Sequence, residues 1–196
     1  MESRTKDILG ATLQKMASDE QFDAITVKRL VLESHVNRQT FYYHFQDKYD
    51  CLQYQLYQDA NRLVGEVTAA IWLELYLSLF RYIDTHQNFF QHISESHAYS
   101  YGDDFILQVT NLIVTKLTKS LQQVCPQLRI KDQSGLLLFE YGLQGIVRNW
   151  FRDGLRENPA ILVESVSKVS RQQMGTLFDG ISDEALTLFK QQVLSV

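Results

Sequence analysis

Residues Thr26 to Lys48, TVKRLVLESHVNRQTFYYHFQDK, decide the fold. The stretch reads as two short helices about a tight turn. Thr26 is placed to cap the first helix, its hydroxyl facing the free amides of the first turn. Val27, Leu30 and Val31 follow helical spacing and face inward. The turn falls near His35 and Val36. Asn37 caps a second helix that runs to about Phe45. Val36, just before that cap, and Phe41, four residues after it, form a hydrophobic staple that fixes the angle at which the chain enters the helix. Phe41 and Phe45 are one turn apart and share the buried side. Arg38, Gln39, Thr40 and Tyr43 then point outward, with Tyr42 and His44 outward or sideways. Such donors suit base edges and phosphates. Half-buried packing tyrosines and a solvated arginine are the plainer account of the same residues. The helix, turn and helix around them favour the DNA reading.

Thr40-Phe41-Tyr42-Tyr43-His44-Phe45, followed by Asp47-Lys48, resembles the signature of the TetR family of bacterial transcription regulators. That signature is a threonine, an apolar residue, a tyrosine, a variable residue, a histidine and an aromatic, then a lysine opening the next helix. Phe22 and Ile25-Thr26-Val27 resemble the family's approach to its helix-turn-helix. The resemblance is strong from about Ile8 to Leu56 and weaker beyond. The family usually places Gly in the turn, often after Ala. Here Ser34-His35 stand there, and His tolerates a left-handed backbone better than most residues other than Gly. The resemblance implies that Arg38, Gln39, Thr40 and Tyr43 meet bases. It implies that Thr26, Tyr42, His44 and Lys48 meet phosphates, and that Lys28 does either. Arg29 and Asn37 complete the expected DNA-binding set.

Composition bounds the rest. A chain of 196 residues can bury a sizeable core in one or two domains. With 45% hydrophobic and 21% charged residues it falls in the globular range. Apolar residues recur every three or four positions and almost nowhere alternate, so the class is all-α. The net charge is −4, so a DNA binder of this composition must gather its basic residues locally. Lys28, Arg29, Arg38 and Lys48 stand against Glu33 and Asp47 within the quoted stretch. That patch is modest, and binding should rely on hydrogen bonds and on pairing two copies of the motif. Cys51 and Cys125 have no metal spacing and no disulfide framework. No signal peptide opens the chain, and Glu74 and Arg81 interrupt its most apolar region. The expected location is cytoplasmic, with no membrane partner.

Two domains are expected: a DNA-binding head over residues 1–48, and a regulatory and dimerisation body over 49–196. In the head, a first helix over Thr5 to Ala17 braces the two-helix reader. A fourth helix, Tyr49 to about Ala70, carries Leu52, Leu56, Leu63 and Val67 on one stripe, and Gly65 allows a bend. Trp72, Tyr76, Phe80, Phe89, Phe90, Phe105 and Phe139 are numerous enough to line a ligand cavity in the body; a plain packed core is the alternative. Ser94 to Gly102 reads as a polar turn, with a helix starting at Asp103-Asp104 and ending near Cys125-Pro126. Ser134 to Arg156 and Ala160 to Leu177 read as two long amphipathic helices, with a short terminal helix over Asp183 to Leu194. Gly142 and Gly145 expose backbone where another helix could approach closely. Ile146, Val147, Trp150, Val166 and Val169 are the candidate dimer residues. Gly142, Gly145, Arg148, Trp150 and Gly154 before Asn158-Pro159 resemble a C-terminal subtype of the family that includes the activator of a dihydroxyacetone-kinase operon.

Chemistry of other kinds finds little footing. Gly142-Leu143-Gln144-Gly145 lies within a helix and lacks any phosphate-binding fingerprint. His86, His92 and His97 with Asp103-Asp104 have generic spacing, so no metal is expected. His86 and Cys125 have nothing to orient them as an enzyme pair. Neither cofactor nor catalysis is expected. The expected function is a TetR-type regulator, a homodimer binding a palindromic operator through residues 38–45 and controlled by a small molecule or partner at its body. An activator working with a protein coactivator is the alternative. A helical interaction protein whose head no longer binds DNA is the alternative of another class.

Overall fold

The residues that begin and end each helix set its length. The structure, a computed structural model, describes residues 2–66, 72–124, 129–130, 133–165 and 178–179. Its helices are α1 (Glu2–Asp19), α2 (Val27–Glu33), α3 (Arg38–His44), α4 (Lys48–Glu66), α5 (Trp72–Thr85), α6 (Gln87–Ser94), α7 (Tyr99–Val124) and α8 (Gln133–Arg152). A further helix, α9, begins at residue 159 and is described to 165. A 3-10 turn, Phe22–Ala24, joins α1 to α2. The fold is all-α, with one small addition among the described residues. Arg129–Ile130 (β1) pairs antiparallel with Phe178–Asp179 (β2), and two residues are too few for any alternation to announce them.

Residues 1–61 and 85–105 pack as one unit. Leu9, Leu13, Met16 and Ala17 recur at helical spacing along α1 and are buried. α1 packs against α6 and α2. α6 supplies Phe89, Phe90 and Ile93, all buried. Each such side chain contributes about 1.5–3 kcal/mol when fully buried. The ring of Phe90 stands 5.2 Å from that of Phe89 and 5.4 Å from that of Phe105. Between α1 and α4 the packing is polar. Gln55 Nε2 donates to both carboxylate oxygens of Asp59 at 3.1 Å, and Gln14 Nε2 donates to Asp59 Oδ2 at 3.0 Å. The close approach needs Gly10, since a Cβ there would fall on the Gln55 side-chain oxygen.

Residues 62–84 and 106–196 form the second unit. Leu75, Tyr76, Leu79, Phe80 and Ile83 make the buried stripe of α5. Ile106, Val109, Thr110, Ile113 and Val114 do the same on α7, and Leu143, Val147 and Trp150 on α8. The indole of Trp150 packs 5.2 Å from the Phe80 ring and donates Nε1–H to the Glu157 carbonyl at 3.0 Å. Lys116 Nζ donates to the Val64 carbonyl at 2.7 Å.

Several boundaries differ from the sequence reading, each for a local reason. α1 runs from Glu2 to Asp19 rather than from Thr5 to Ala17. α7 begins at Tyr99, not at Asp103. The Ser96 hydroxyl accepts from the Ala98 amide at 3.0 Å and donates to the Ile93 carbonyl at 2.8 Å, so the turn is complete within a few residues. α8 stops at Arg152 rather than Arg156. Gly154 adopts φ 76° and Leu155 φ 57°. The Gly154 amide donates to Phe151 and the Leu155 amide to Trp150, both at 3.0 Å, a left-handed helix stop of the Schellman type. On α4 Leu52 and Leu56 are buried as expected, but further along Val64 is buried and Leu63 only half-buried. Val67, residues 166–177 of the helix expected over 160–177, and the helix expected over 183–194 lie outside the described residues.

Candidate nucleic-acid interface

Two side-chain caps and one backbone turn build the reader. Thr26 Oγ1 accepts from the Arg29 amide at 3.3 Å and starts α2. Asn37 Oδ1 accepts from the Thr40 amide at 2.7 Å and starts α3. Between them α2 ends in a second left-handed stop. The His35 amide donates to Leu32 at 3.2 Å and the Val36 amide to Val31 at 3.1 Å, with His35 at φ 54°. His35 therefore does what Gly does in such a turn. Leu30 and Phe41 are fully buried and Phe45 nearly so, which fixes the inner side of both helices.

The outer side is polar and aromatic. Arg38, Gln39, Tyr42 and Tyr43 are exposed, Tyr43 at 74%, while Thr40 and His44 are half-buried. The Arg38 guanidinium lies over the Tyr42 ring, 5.5 Å from its centroid. That contact holds a long side chain ready to present its fork of donors. The rings of Tyr43 and His44 meet edge to face at 4.9 Å. His44 Nδ1 is buried and has no hydrogen-bond partner among the described residues. Thr26, Lys28, Arg29 and Asn37 are exposed around α3. Arg29 is already engaged, with its guanidinium on both carboxylate oxygens of Glu20 at 2.6 and 2.8 Å. That pairing raises the Arg29 pKa.

Lys48, expected at a phosphate, is engaged within the chain. Its ammonium donates to the backbone carbonyls of Phe22 at 2.8 Å, Asp23 at 3.2 Å and Ile25 at 2.8 Å. It also lies 4.7 Å from the centroid of the Phe22 ring. Desolvation by this burial lowers its pKa, and the charge of Asp23 opposes the shift. A lysine carries three N–H donors, and all three are turned inward here.

The expected pocket residues divide between the two units. Phe89, Phe90 and Phe105 belong to the first, and Tyr76 and Phe80 to the second. All five are buried. The side chains of Trp72 and Phe139 lie outside the described residues. A cavity of about 510 Å³ lies instead along α8 and the start of α9. Gly142, Gly145, Ile146, Trp150, Arg156 and Leu162 are among its lining, and none of the expected pocket residues is. Of the expected dimer residues, Ile146 is exposed at 37%, while Val147 and Trp150 are buried within their own unit. Helical periodicity had placed them on a shared apolar stretch; it does not say which of two adjacent faces turns inward. Val166 and Val169 lie outside the described residues.

The structure also joins residues that the sequence keeps far apart. His97 Nδ1 stands 2.8 Å from Asp23 Oδ2, and Gln21 Nε2 donates to Glu95 at 3.2 Å, each across 74 positions. His92 Nδ1 lies 2.8 Å from the Ala17 carbonyl. The first two fasten the α6–α7 turn to the connection between α1 and α2, and the third ties α6 to α1. No local pattern marks such pairs.

Residues 8–54 match the family described as bacterial regulatory proteins, tetR family. Residues 71–172 match a transcriptional regulator C-terminal region. A solved structure of the dihydroxyacetone kinase operon activator DhaS is similar over 88% of this chain and 97% of that one, with 20% identity and a TM-score of 0.68. The fatty acid degradation regulator FadR from Bacillus halodurans is similar over 83% of this chain and 96% of that one, with 14% identity and a TM-score of 0.58. No curated protein matches. At these identities the two structures speak for the fold.

Proposed function

This chain belongs to the TetR family of bacterial regulatory proteins, and from that premise we propose that it is a homodimeric transcription regulator reading a palindromic operator through α3. The observation that carries the reading is the outer face of α3. Arg38, Gln39 and Tyr43 stand exposed on a helix held by the Asn37 cap and the buried Phe41. Arg38 and Gln39 suit the acceptor and donor patterns of guanine and adenine in the major groove. Thr40 and Tyr43 join them at the bases. Thr26, Tyr42, His44 and Lys48 meet phosphates, and Lys28 meets either. DNA binding is assigned to residues 1–48, and regulation and dimerisation to 49–196.

Two heads are needed because one α3 reads few base pairs with few side chains. The exposed side of α8 supports a second copy as the partner. Gly142 and Gly145 are exposed, and among the described residues a Cβ at either would meet nothing within 4 Å. Glycine inside a helix costs about 1 kcal/mol against alanine. Nothing among the described residues recovers that cost, whereas a partner helix in close approach does. Tyr141 and Ile146 beside them are exposed apolar side chains.

A small molecule or a protein partner at the body sets the activity, with no cofactor and no catalytic role. The site of action is the cytoplasm, where operator DNA lies. Among the described residues no helix is long and apolar enough to cross a membrane. Activation with a coactivator is the second reading. It is favoured by the likeness of fold to a dihydroxyacetone kinase operon activator. Selecting bound fragments of genomic DNA with the purified protein tests the proposal. An enriched inverted repeat supports it, and uniform recovery of all fragments overturns it.

A further inference from the structure

Lys6 and Phe45 meet where the start of α1 passes the end of α3, the ammonium 5.7 Å from the centroid of the Phe45 ring. Phe45 is the C-cap of α3. The ring of His44, a phosphate contact in the reading above, stands 6.4 Å from that of Phe45. Ammonium, phenyl ring and imidazole thus follow one another from α1 to α3. A second ring holds the lysine, since its Nζ also lies 5.3 Å from the centroid of Tyr54. Tyr54 is itself fixed, its hydroxyl donating to Asp7 Oδ1 at 2.8 Å. Leu9 and Leu13 are fully buried one and two turns further along, so Lys6 stands on a packed helix rather than on a loop.

The charge of Lys6 is uncommitted. Among the described residues it has no carboxylate partner, whereas Arg29 is paired with Glu20 and Lys48 donates to three carbonyls. Contact with the faces of aromatic rings steadies an ammonium and leaves N–H donors for an acceptor outside the chain. In a chain of net charge −4, such a cation beside the reader counts.

We propose that Lys6 is a further DNA-binding residue: it meets a phosphate beside those touched by the end of α3, and so carries the DNA surface of each head from the helix-turn-helix onto the start of α1. The inference rests on α3 being the reader. One strand of a duplex carries a negative charge about every 3.4 Å of helix axis, so a neighbouring phosphate is within reach of a long side chain at this place. A phosphate contact carries no sequence information of its own. Lys6 therefore adds affinity and salt dependence and leaves the preference for one sequence over another to α3.

The experiment uses the fragment selected by the wild-type protein, scrambled DNA of equal length, and the variants Lys6→Gln, Lys6→Arg and Lys15→Gln, with folding of each checked by circular dichroism. Lys15 is an exposed lysine of the same helix, about 13 Å further along it, and its loss changes the net charge equally. Binding is measured between roughly 50 and 200 mM salt. Lys6→Gln is expected to weaken binding to both DNAs alike. Its slope of log affinity against log salt should fall by about 0.9 per head, or about 1.8 for a dimer, so that the gap to wild type narrows about tenfold across the range. Lys6→Arg and Lys15→Gln are expected to keep the wild-type slope. A wild-type slope in Lys6→Gln overturns the proposal and leaves Lys6 a packing role against Phe45 and Tyr54. A slope lowered as much by Lys15→Gln also overturns it, since the effect is then one of overall charge. Where Lys6→Gln does not fold, Lys6→Met, which keeps an apolar stem against both rings, is judged by the same slope. A wild-type protein that prefers no fragment overturns both this proposal and the reading of α3, whereas an unchanged slope in the variants of a specific wild type overturns this proposal alone.

Discussion

The amide of Val36 donates to the carbonyl of Val31 at 3.1 Å, and the residue between the end of α2 and that amide, His35, stands at φ 54°. An L-residue held in the left-handed region costs about 1–2 kcal/mol. Glycine there removes the steric cost but adds about 0.4–1 kcal/mol of unfolded-state entropy. His35→Gly should therefore stabilise the protein by about 0.5–1 kcal/mol. His35→Val should destabilise it, because a β-branched side chain fits this backbone worst. Urea unfolding of the two variants checks the sign. A destabilised glycine variant would mean that the imidazole itself makes a contact worth more than the strain.

Arg38 and Tyr42 act together on the outer face of α3, the guanidinium 5.5 Å from the ring centroid. Arg38→Ala should cost about 1–3 kcal/mol in operator affinity and relax the sequence preference at its base. Tyr42→Ala should move specificity in the same direction by less, about 0.5–1 kcal/mol through the lost stack on the guanidinium, beside the equal weakening on all sequences that loss of its phosphate contact brings. Binding of both variants and their double mutant to operator and scrambled DNA gives the coupling. Fully additive losses would show that the stack does not serve Arg38.

Asp23 makes stability depend on pH. The hydrogen bond with His97 is the largest cause holding its carboxyl below the usual value of 3.8. Burial opposes the shift, while the His97 amide and the charges of His97 and Lys48 reinforce it. A depressed carboxylate contributes stability that is present above the unfolded value and is lost as pH falls through the folded one. Wild type should thus exceed Asp23→Asn in stability at neutral pH, and the difference should close as pH falls below the carboxylate range. Denaturant midpoints across that range test it; a gap that widens on acidification contradicts the assignment.

How far the sequence carried differs sharply between parts of the chain. Thr26, Asn37, Phe41 and Phe45 act on neighbours within a few residues, so caps, staple and buried side follow from spacing alone. The left-handed turn at His35 was legible too, because residue type limits where φ turns positive. Lys48 was not. Its position at the start of α4 was clear, but the carbonyls it clasps lie 23 to 26 positions earlier, and only folding brings them to one point. The same holds for Asp23 and His97. On α8 the periodicity identified an amphipathic helix. Yet Val147 and Trp150 turned inward and left Gly142, Gly145 and Ile146 outside, a choice made by what packs against the helix.

That choice on α8 defines the last prediction. Val147 and Trp150 are 1% and 3% exposed, so charging either one attacks the chain's own core. Ile146 and Gly142 are exposed, and their side has no neighbour at the glycines among the described residues. Ile146→Glu and Gly142→Leu should therefore leave the monomer folded while disrupting the pairing of two copies. A charge buried at a helix–helix contact without a partner costs several kcal/mol, and leucine in place of glycine prevents close approach. Dissociation should remove operator binding too, because each head alone has few base contacts. Sedimentation should show wild type as a dimer at micromolar concentration and both variants as monomers, with circular dichroism unchanged. Val147→Glu serves as the contrast, expected to lose helix content rather than only the partner. A wild-type monomer that binds an inverted repeat tightly would refute the two-head reading. Dimers indifferent to both exposed substitutions would place the interface elsewhere on the body.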